Sequence, residues 1–252
     1  MKIIIMESAE AFDREGALTI TRQALKKPDT TFCVATGDTT HNMYALAAKL
    51  HKELGVDYSL CKTCNLDEYA GIAAEDKRSC SYRINEVLLK KINIKPENTY
   101  VPSGLSDPPE KELLVFREKI EKFGGIDLLV LGIGANGHIA FNEPGTPFDS
   151  VFRVAPISEA TRKDKALLFG GFDETPKYGI SMGIRDVMMA RSIFLAAKGR
   201  NKADVIRRIV EGPMAADVPA SVVRVHPDLT VLIDKDAASL LRPSEFLKSN
   251  WN

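Results

Sequence analysis

The sequence predicts an α/β fold, an open, mostly parallel sheet flanked by helices, and three observations carry that expectation. Apolar, β-branched runs alternate with segments of helical period nearly from end to end of the 252 residues. Several runs, such as Ile126-Asp-Leu-Leu-Val-Leu131, are too apolar for a half-exposed strand and ask for cover on both faces. No internal repeat and no stretch rich in Pro, Gly or Ser interrupts the alternation, so a single domain over residues 1–252 is expected.

In chain order, the three isoleucines of Lys2 to Met6 make a first strand, and Ala9 to Lys26 follows with apolar residues at helical spacing. Thr31 to Ala35 is the second strand, ahead of a helix from His41 to Leu54. Leu60 to Asn65 leads to a helix from Ser81 to Ile92, and the short run Thr99 to Val101 to a helix from Pro109 to Lys122. Ile126 to Leu131 is the most apolar strand, and a helix from Ser158 to Phe169 comes next. Ser192 to Ala197, a helix from Lys202 to Val210 and a last strand from Thr230 to Ile233 complete the pattern.

Hydrophobic residues at 44% and charged residues at 27% exclude a disordered, collagen-like or coiled-coil chain. Thirty-four basic side chains balance thirty-four acidic ones, so no global field steers the protein to nucleic acid or an anionic membrane, and any anion it binds is held by local geometry. No stretch approaches the ~18 apolar residues of a membrane span, and the Met1 to Glu7 start is too short for a signal sequence, so a cytoplasmic protein is expected. The four cysteines are too sparse for a disulfide scaffold. Cys61-Lys-Thr-Cys64 lacks a second ligand pair for zinc and lies in a strand rather than opening a helix, so Cys33, Cys61, Cys64 and Cys80 are expected to be ordinary buried or half-buried thiols. His41 and His51 fall on a helix solvated on one side, Lys90-Lys91 reads as a solvated helical face, and Trp251 lies near a mobile C-terminus.

In open parallel sheets ligands collect beyond the carboxyl ends of the strands, and three loops there are unusual. Thr36-Gly-Asp-Thr-Thr40 precedes a helix and can cradle an anion on its backbone N–H groups, although Thr and Asp are also ordinary caps and the Asp38 carboxylate opposes a phosphate. Asn65-Leu-Asp-Glu-Tyr69 sets two carboxylates after a strand, either as a general base for a carbon-bound proton or as a capping Asp beside a solvated Glu. The third loop, Leu131-Gly-Ile-Gly-Ala-Asn-Gly-His-Ile-Ala-Phe-Asn-Glu-Pro-Gly145, places Asn136, His138 and Glu143 within eight residues, amid glycines that let a ligand approach. Its Gly132-x-Gly134 element does not make a dinucleotide fingerprint, because the third glycine is misplaced and no long helix follows.

At this third loop the chain resembles the glucosamine-6-phosphate deaminase/isomerase family. The resemblance extends through Thr36-Gly37, Asn65-Leu-Asp-Glu-Tyr69, Tyr178-Gly-Ile-Ser-Met-Gly183, Gly199-Arg-Asn-Lys-Ala203 and Pro219-Ala-Ser221 leading to His226. It implies a Rossmann-like open sheet of the sugar-phosphate isomerase/deaminase type, and no metal or organic cofactor. It also implies opening of an aminosugar 6-phosphate ring, transfer of a proton from C2 to C1, and hydrolysis of the imine to fructose 6-phosphate and ammonia. On this resemblance His138 opens the ring with Asn136 and Glu143 orienting it, and Asp67 carries the proton. Thr36, Gly37, Asp38, Thr39 and Lys202, with Gly137 in the third loop, are expected to bind the sugar phosphate. The partner is thus a small sugar phosphate, without nucleic acid or membrane, and a homo-oligomer is compatible with the family.

The chain departs from the family pattern in places. Asn136 stands where some members carry Asp, Asp38 replaces a small residue, and Thr40 replaces a Pro. Leu167 stands where many members have an arginine for the phosphate, and a Leu there resembles the galactosamine-6-phosphate branch. The phosphate site is thereby weakened unless Arg162, Lys163 or Lys165 compensates. A 6-phosphogluconolactonase-like hydrolase shares the fold and a related Gly-His loop, but not Asn65-Leu-Asp67 or the segment Ile139 to Gly145. A catalytically reduced sugar-phosphate sensor is motivated by Asp38 and Leu167.

Overall fold

The computed structural model describes residues 1–242, so Trp251 lies outside the described residues. Ten strands are found among them: β1 (Lys2–Met6), β2 (Thr31–Val34), β3 (Lys62–Asn65), β4 (Asp67–Tyr69), β5 (Thr99–Tyr100), β6 (Leu128–Leu131), β7 (Arg153–Pro156), β8 (Tyr178–Ser181), β9 (Ser192–Ala197) and β10 (Leu229–Asp234). Seven form one sheet in the order β1-β10-β9-β6-β2-β3-β5, with every neighbouring pair parallel. These are the seven strands expected from the sequence: β1 and β9 keep the expected bounds, β2, β3, β5 and β6 are shorter by one or two residues, and β10 is longer by one residue at each end.

The central strands read as apolar runs because both faces are covered. Leu129 and Leu131 of β6 pack into one core with Ile193, Leu195, Val231 and Ile233, while Leu128 and Val130 pack into a second core on the other face with Phe32, Val34, Phe194 and Leu232. Each fully buried side chain of this kind contributes about 1.5–3 kcal/mol.

The helices are α1 (Ala9–Lys26), α2 (Asp38–Leu54), α3 (Cys80–Val87), α4 (Glu110–Lys122), α5 (Glu159–Phe169), α6 (Ile184–Met188), α7 (Ala203–Glu211) and α8 (Lys235–Ala238). Ser8 and Ser158 cap α1 and α5 through their side chains, and α5 ends where Gly170 turns left-handed. Three expectations are corrected here. Helix α2 begins at Asp38 rather than His41, so the first hydroxyl loop is partly a helical turn. The helix expected from Ser81 to Ile92 is α3 followed by a separate 3₁₀ turn, Leu89–Lys91. Short α6 and α8 were not anticipated.

The larger difference is a second sheet, antiparallel, in the order β4-β8-β7. Its strands are three or four residues long and lack an apolar run, so sequence periodicity does not reveal them. Leu66 stitches it to the main sheet, with its N–H donating to the Val34 carbonyl at 3.3 Å and its carbonyl accepting from Met182 N–H at 3.0 Å. A third apolar cluster, containing Tyr69, Ile72, Cys80, Phe141, Ala155, Ile157 and Phe169, fills the space beneath this sheet. No helix among the described residues is long and apolar enough to cross a membrane.

Candidate active site

A cleft of about 420 Å³ opens beyond the carboxyl ends of β2, β3 and β6. Of the residues singled out in the sequence, Thr36, Gly37, Asp38, Thr39, Asp67, Asn136, His138 and Lys202 line it. Two do not reach it. Glu143 is buried behind Asn136, and Gly137 turns left-handed (φ +90°) with its backbone against Val218.

The second sheet places Asp67. It is the first residue of β4, paired in register with Ser181 of β8, and it projects into the cleft while Glu68 points away. Glu68 is 1% exposed and accepts backbone N–H groups from Tyr69 at 2.8 Å, Cys80 at 3.0 Å and Ser81 at 2.9 Å, which locks the start of α3 to β4. The division of labour is therefore the reverse of a capping Asp beside a solvated Glu. Burial, reinforced by the Glu68 carboxylate, pushes the Asp67 pKa up to about 7, against the Cys80 thiol, whose sulfur lies 3.7 Å from Asp67 Oδ1. A carboxylate of that basicity is suited to take a carbon-bound proton near neutral pH. Cys80 lines the cleft as well, so this thiol, unlike Cys33, Cys61 and Cys64, belongs to the site.

His138 is held by the loop after β6. Asn136 Nδ2 donates to Glu143 Oε2 at 2.9 Å, which turns the amide oxygen toward His138. That oxygen accepts the His138 backbone N–H at 3.1 Å and lies 2.7 Å from Nδ1. An amide oxygen only accepts, so this pattern assigns the proton to Nδ1 and leaves Nε2 as the basic nitrogen. Thr161 Oγ1 of α5 also lies 3.2 Å from Nδ1. Burial holds the imidazole below its ordinary pKa; Glu143 opposes this, and Lys202 and Lys165 add to it. The ring rests against Gly134, where a Cβ would stand 2.2 Å from Nδ1 and Cε1, so no larger residue fits there with His138 in place.

The remaining motifs support this loop. Asn142 is fully buried and donates to the carbonyls of Ile139 and Met182, both at 2.9 Å, fastening the turn to the strand end of β8. Ala140, between them, takes a positive φ of 50° and lines the cleft. A Cβ at Gly179 would meet the Phe141 ring at 2.3 Å, which explains the glycine in the segment Tyr178 to Gly183. The Pro219 to Ser221 turn backs the loop through Ala220 N–H donating to the Gly137 carbonyl at 3.0 Å. His226 is buried beneath the sheet, with Nε2 2.8 Å from the Ala190 carbonyl, and has a structural role.

At the other end of the cleft, Gly37 gives α2 no side-chain cap, so its first turn faces the cleft open. Thr40 turns inward instead, donating to the Ala35 carbonyl at 2.9 Å. Lys202 is presented by a 3₁₀ turn (Arg200–Lys202) that Asp234 anchors by accepting Gly199 N–H at 3.0 Å. Burial holds Lys202 below its ordinary pKa, with Asp164 opposing and Lys165 adding to the effect. Of the basic residues flanking Leu167, Lys165 reaches the cleft, Arg162 is buried donating to the Thr175 and Phe172 carbonyls, and Lys163 pairs with Glu159. Leu167 itself is 96% exposed and outside the cleft lining. Arg83, not singled out in the sequence, also lines the cleft, brought there by α3. Its position 15 residues after Glu68 carries no local motif that would have revealed it.

The family model for glucosamine-6-phosphate isomerases/6-phosphogluconolactonase matches residues 7–232. The chain belongs to this family. It is 40% identical over 248 residues to a glucosamine-6-phosphate deaminase of Thermoanaerobacter pseudethanolicus, covering 98% of both chains, and 39% identical over 241 residues to the deaminase of Halothermothrix orenii, covering 96% of this chain and all of the other. Among solved structures, a monomeric glucosamine-6-phosphate deaminase superposes with a TM-score of 0.93 at 36% identity, over 95% of this chain and 100% of that one. A 6-phosphogluconolactonase from Trypanosoma brucei shares the fold, with a TM-score of 0.77 at 18% identity over 96% of this chain and 98% of the other.

Proposed function

We propose that this chain is a glucosamine-6-phosphate deaminase that converts its substrate and water to fructose 6-phosphate and ammonia as a single catalytic domain. The observation that carries the reading is that Asp67, raised to about 7, and His138, with its basic Nε2, line one cleft. The lactonase reading lacks this support, since its structural relatives share the fold at 15–19% identity, and lactone hydrolysis has no need of a base for a carbon-bound proton.

In the proposed mechanism, His138 Nε2 takes the O1 proton and delivers it to the ring oxygen, opening the pyranose; Asn136 and Glu143 hold the tautomer that makes this possible. Asp67 then removes the C2 proton of the open-chain aldehyde while the C2 ammonium gives a proton to O1, forming an enolamine, and Asp67 returns its proton to C1, which leaves a C2 iminium. Water adds to C2 and ammonia departs, giving the ketose. A single carboxylate suffices because the donor and acceptor carbons are adjacent. The phosphate lies on Thr36, Gly37 and Thr39 at the open start of α2, with Lys202 as counter-charge. Such an enzyme acts on cytoplasmic amino sugars, and a homo-oligomer is compatible with this reading.

The test is ammonia release from glucosamine 6-phosphate and galactosamine 6-phosphate side by side, with Asp67→Asn as control. Release from the gluco sugar, abolished in the control, is the expected result. Release only from the galacto sugar would reassign the epimer, and folded protein inactive on both would overturn the reading.

A further inference from the structure

The anion end of the cleft holds an arrangement that the family resemblance did not supply. Arg83 on α3 and Lys165 on α5 both reach the Asp38 carboxylate, one at each of its oxygens. Asp38 Oδ1 lies 2.5 Å from Arg83 Nη2, and its Oδ2 lies 3.8 Å from Lys165 Nζ. The two cations are largely covered, with side chains 20% and 25% exposed, whereas the Asp38 side chain is 81% exposed. Lys165 also pairs with Asp164 at 3.0 Å, and Lys202 lines the same end.

Two like charges facing each other across a cleft repel, and a carboxylate giving one oxygen to each relieves that repulsion. Its two oxygens stand where two phosphate oxygens would make the same contacts, next to the uncapped first turn of α2. The covered cations are constrained by their surroundings, while the solvated carboxylate is free to swing out. A phosphate dianion brings more charge and a third oxygen to the same cations.

We propose that Arg83 and Lys165 grip the phosphate of the substrate, and that Asp38 is an internal anion that bridges them until the phosphate displaces it. This rests on the deaminase reading and deepens it. Asp38 thereby becomes a competitor of the substrate rather than a ligand to it, and Arg83 and Lys165 supply the positive charge that Leu167 cannot.

The experiment measures KM and kcat for glucosamine 6-phosphate, and the affinity for inorganic phosphate by direct titration, in wild type, Asp38→Asn, Arg83→Gln, Lys165→Met, Lys202→Ala and the double variant Asp38→Asn/Arg83→Gln. Arg83→Gln should raise KM about tenfold or more with kcat changed less than about threefold, and Lys165→Met should act in the same direction. Asp38→Asn should tighten inorganic phosphate about threefold to tenfold and lower KM, and this gain should shrink in the Arg83→Gln background. Weaker or unchanged phosphate binding in Asp38→Asn, or an Arg83→Gln KM within twofold of wild type, would overturn the proposal. If Lys202→Ala alone raises KM, the deaminase reading stands and only this proposal fails. If none of the variants alters either quantity, the phosphate lies elsewhere and both fail.

Discussion

Asp38 and Asp67 are the same side chain lining one cleft, and their environments drive their pKa values apart. The Asp38 side chain is largely exposed; the surrounding cleft desolvates it enough to push its pKa up, but Lys165 and Arg83 outweigh that and hold it below the ordinary carboxylate range. Asp67 is more deeply enclosed, has Glu68 as its charged neighbour, and is raised to about 7. What decides the outcome is whether a cation accompanies the desolvation. One carboxylate is held ionised, and the other is poised to gain or lose its proton near neutral pH.

The hardest way to break this contrast is to remove the base. Asp67→Asn should fold normally and lose at least about a thousandfold in kcat, together with exchange of the C2 proton with solvent. Retained exchange, followed by NMR in deuterated buffer, would remove Asp67 from that role. The same variant tests the electrostatics. Because the folded pKa of about 7 lies above the ordinary 3.8, ionised Asp67 costs stability, a cost absent below pH 4, growing between pH 4 and pH 7, and complete above. Asp67→Asn should therefore melt about 3–8 °C higher than wild type at pH 8, with the gap closing toward pH 4.

Next in size is Gly134→Ala. Its Cβ would occupy the place of the His138 ring, and displacing the imidazole by an ångström should lower kcat about a hundredfold with a smaller change in KM. A turnover within threefold of wild type would separate ring opening from His138. Smaller again is the pH profile. The base must be ionised, so kcat/KM should rise with unit slope on the acid side and level off above about pH 7; a limb below pH 5 would contradict the buried setting of Asp67.

Salt sharpens the comparison between the two ends. Raising ionic strength from about 0.05 to about 0.5 M should raise KM about threefold to tenfold, because the anion end is open to solvent, while the acidic limb moves by less than about 0.3 pH unit. Equal sensitivity of both quantities would argue against separate environments. The smallest effect is expected for Cys80→Ala. Losing the thiol beside Asp67 Oδ1 should move that limb upward by about half a pH unit, and Cys80→Ser should restore it.

Much of this was legible in the residues, for identifiable reasons. The strands of the large sheet are buried on both faces, so Leu128 to Leu131 and Ser192 to Ala197 had to be apolar and stood out. The loop from Gly132 to Gly145 announced itself because polar groups and glycines are concentrated beyond what packing needs. The second sheet was hidden, since Asp-Glu-Tyr, Arg-Val-Ala-Pro and Tyr-Gly-Ile-Ser carry no periodic signal, although β4 places Asp67. Arg83 and Cys80 were hidden for the same kind of reason. They reach the cleft only because Glu68 ties the start of α3 to β4, a contact between backbone and a side chain 12 and 13 residues away.

The sequence by itself determined the layered α/β architecture, its family and the candidate proton-transfer residues, because hydrophobic period and dense local motifs are properties of neighbours along the chain. The tertiary structure alone decided which of two adjacent carboxylates faces the cleft, which nitrogen of His138 carries the proton, and which cations meet Asp38. Those outcomes depend on burial and on partners that meet only when separate segments of the folded chain come together.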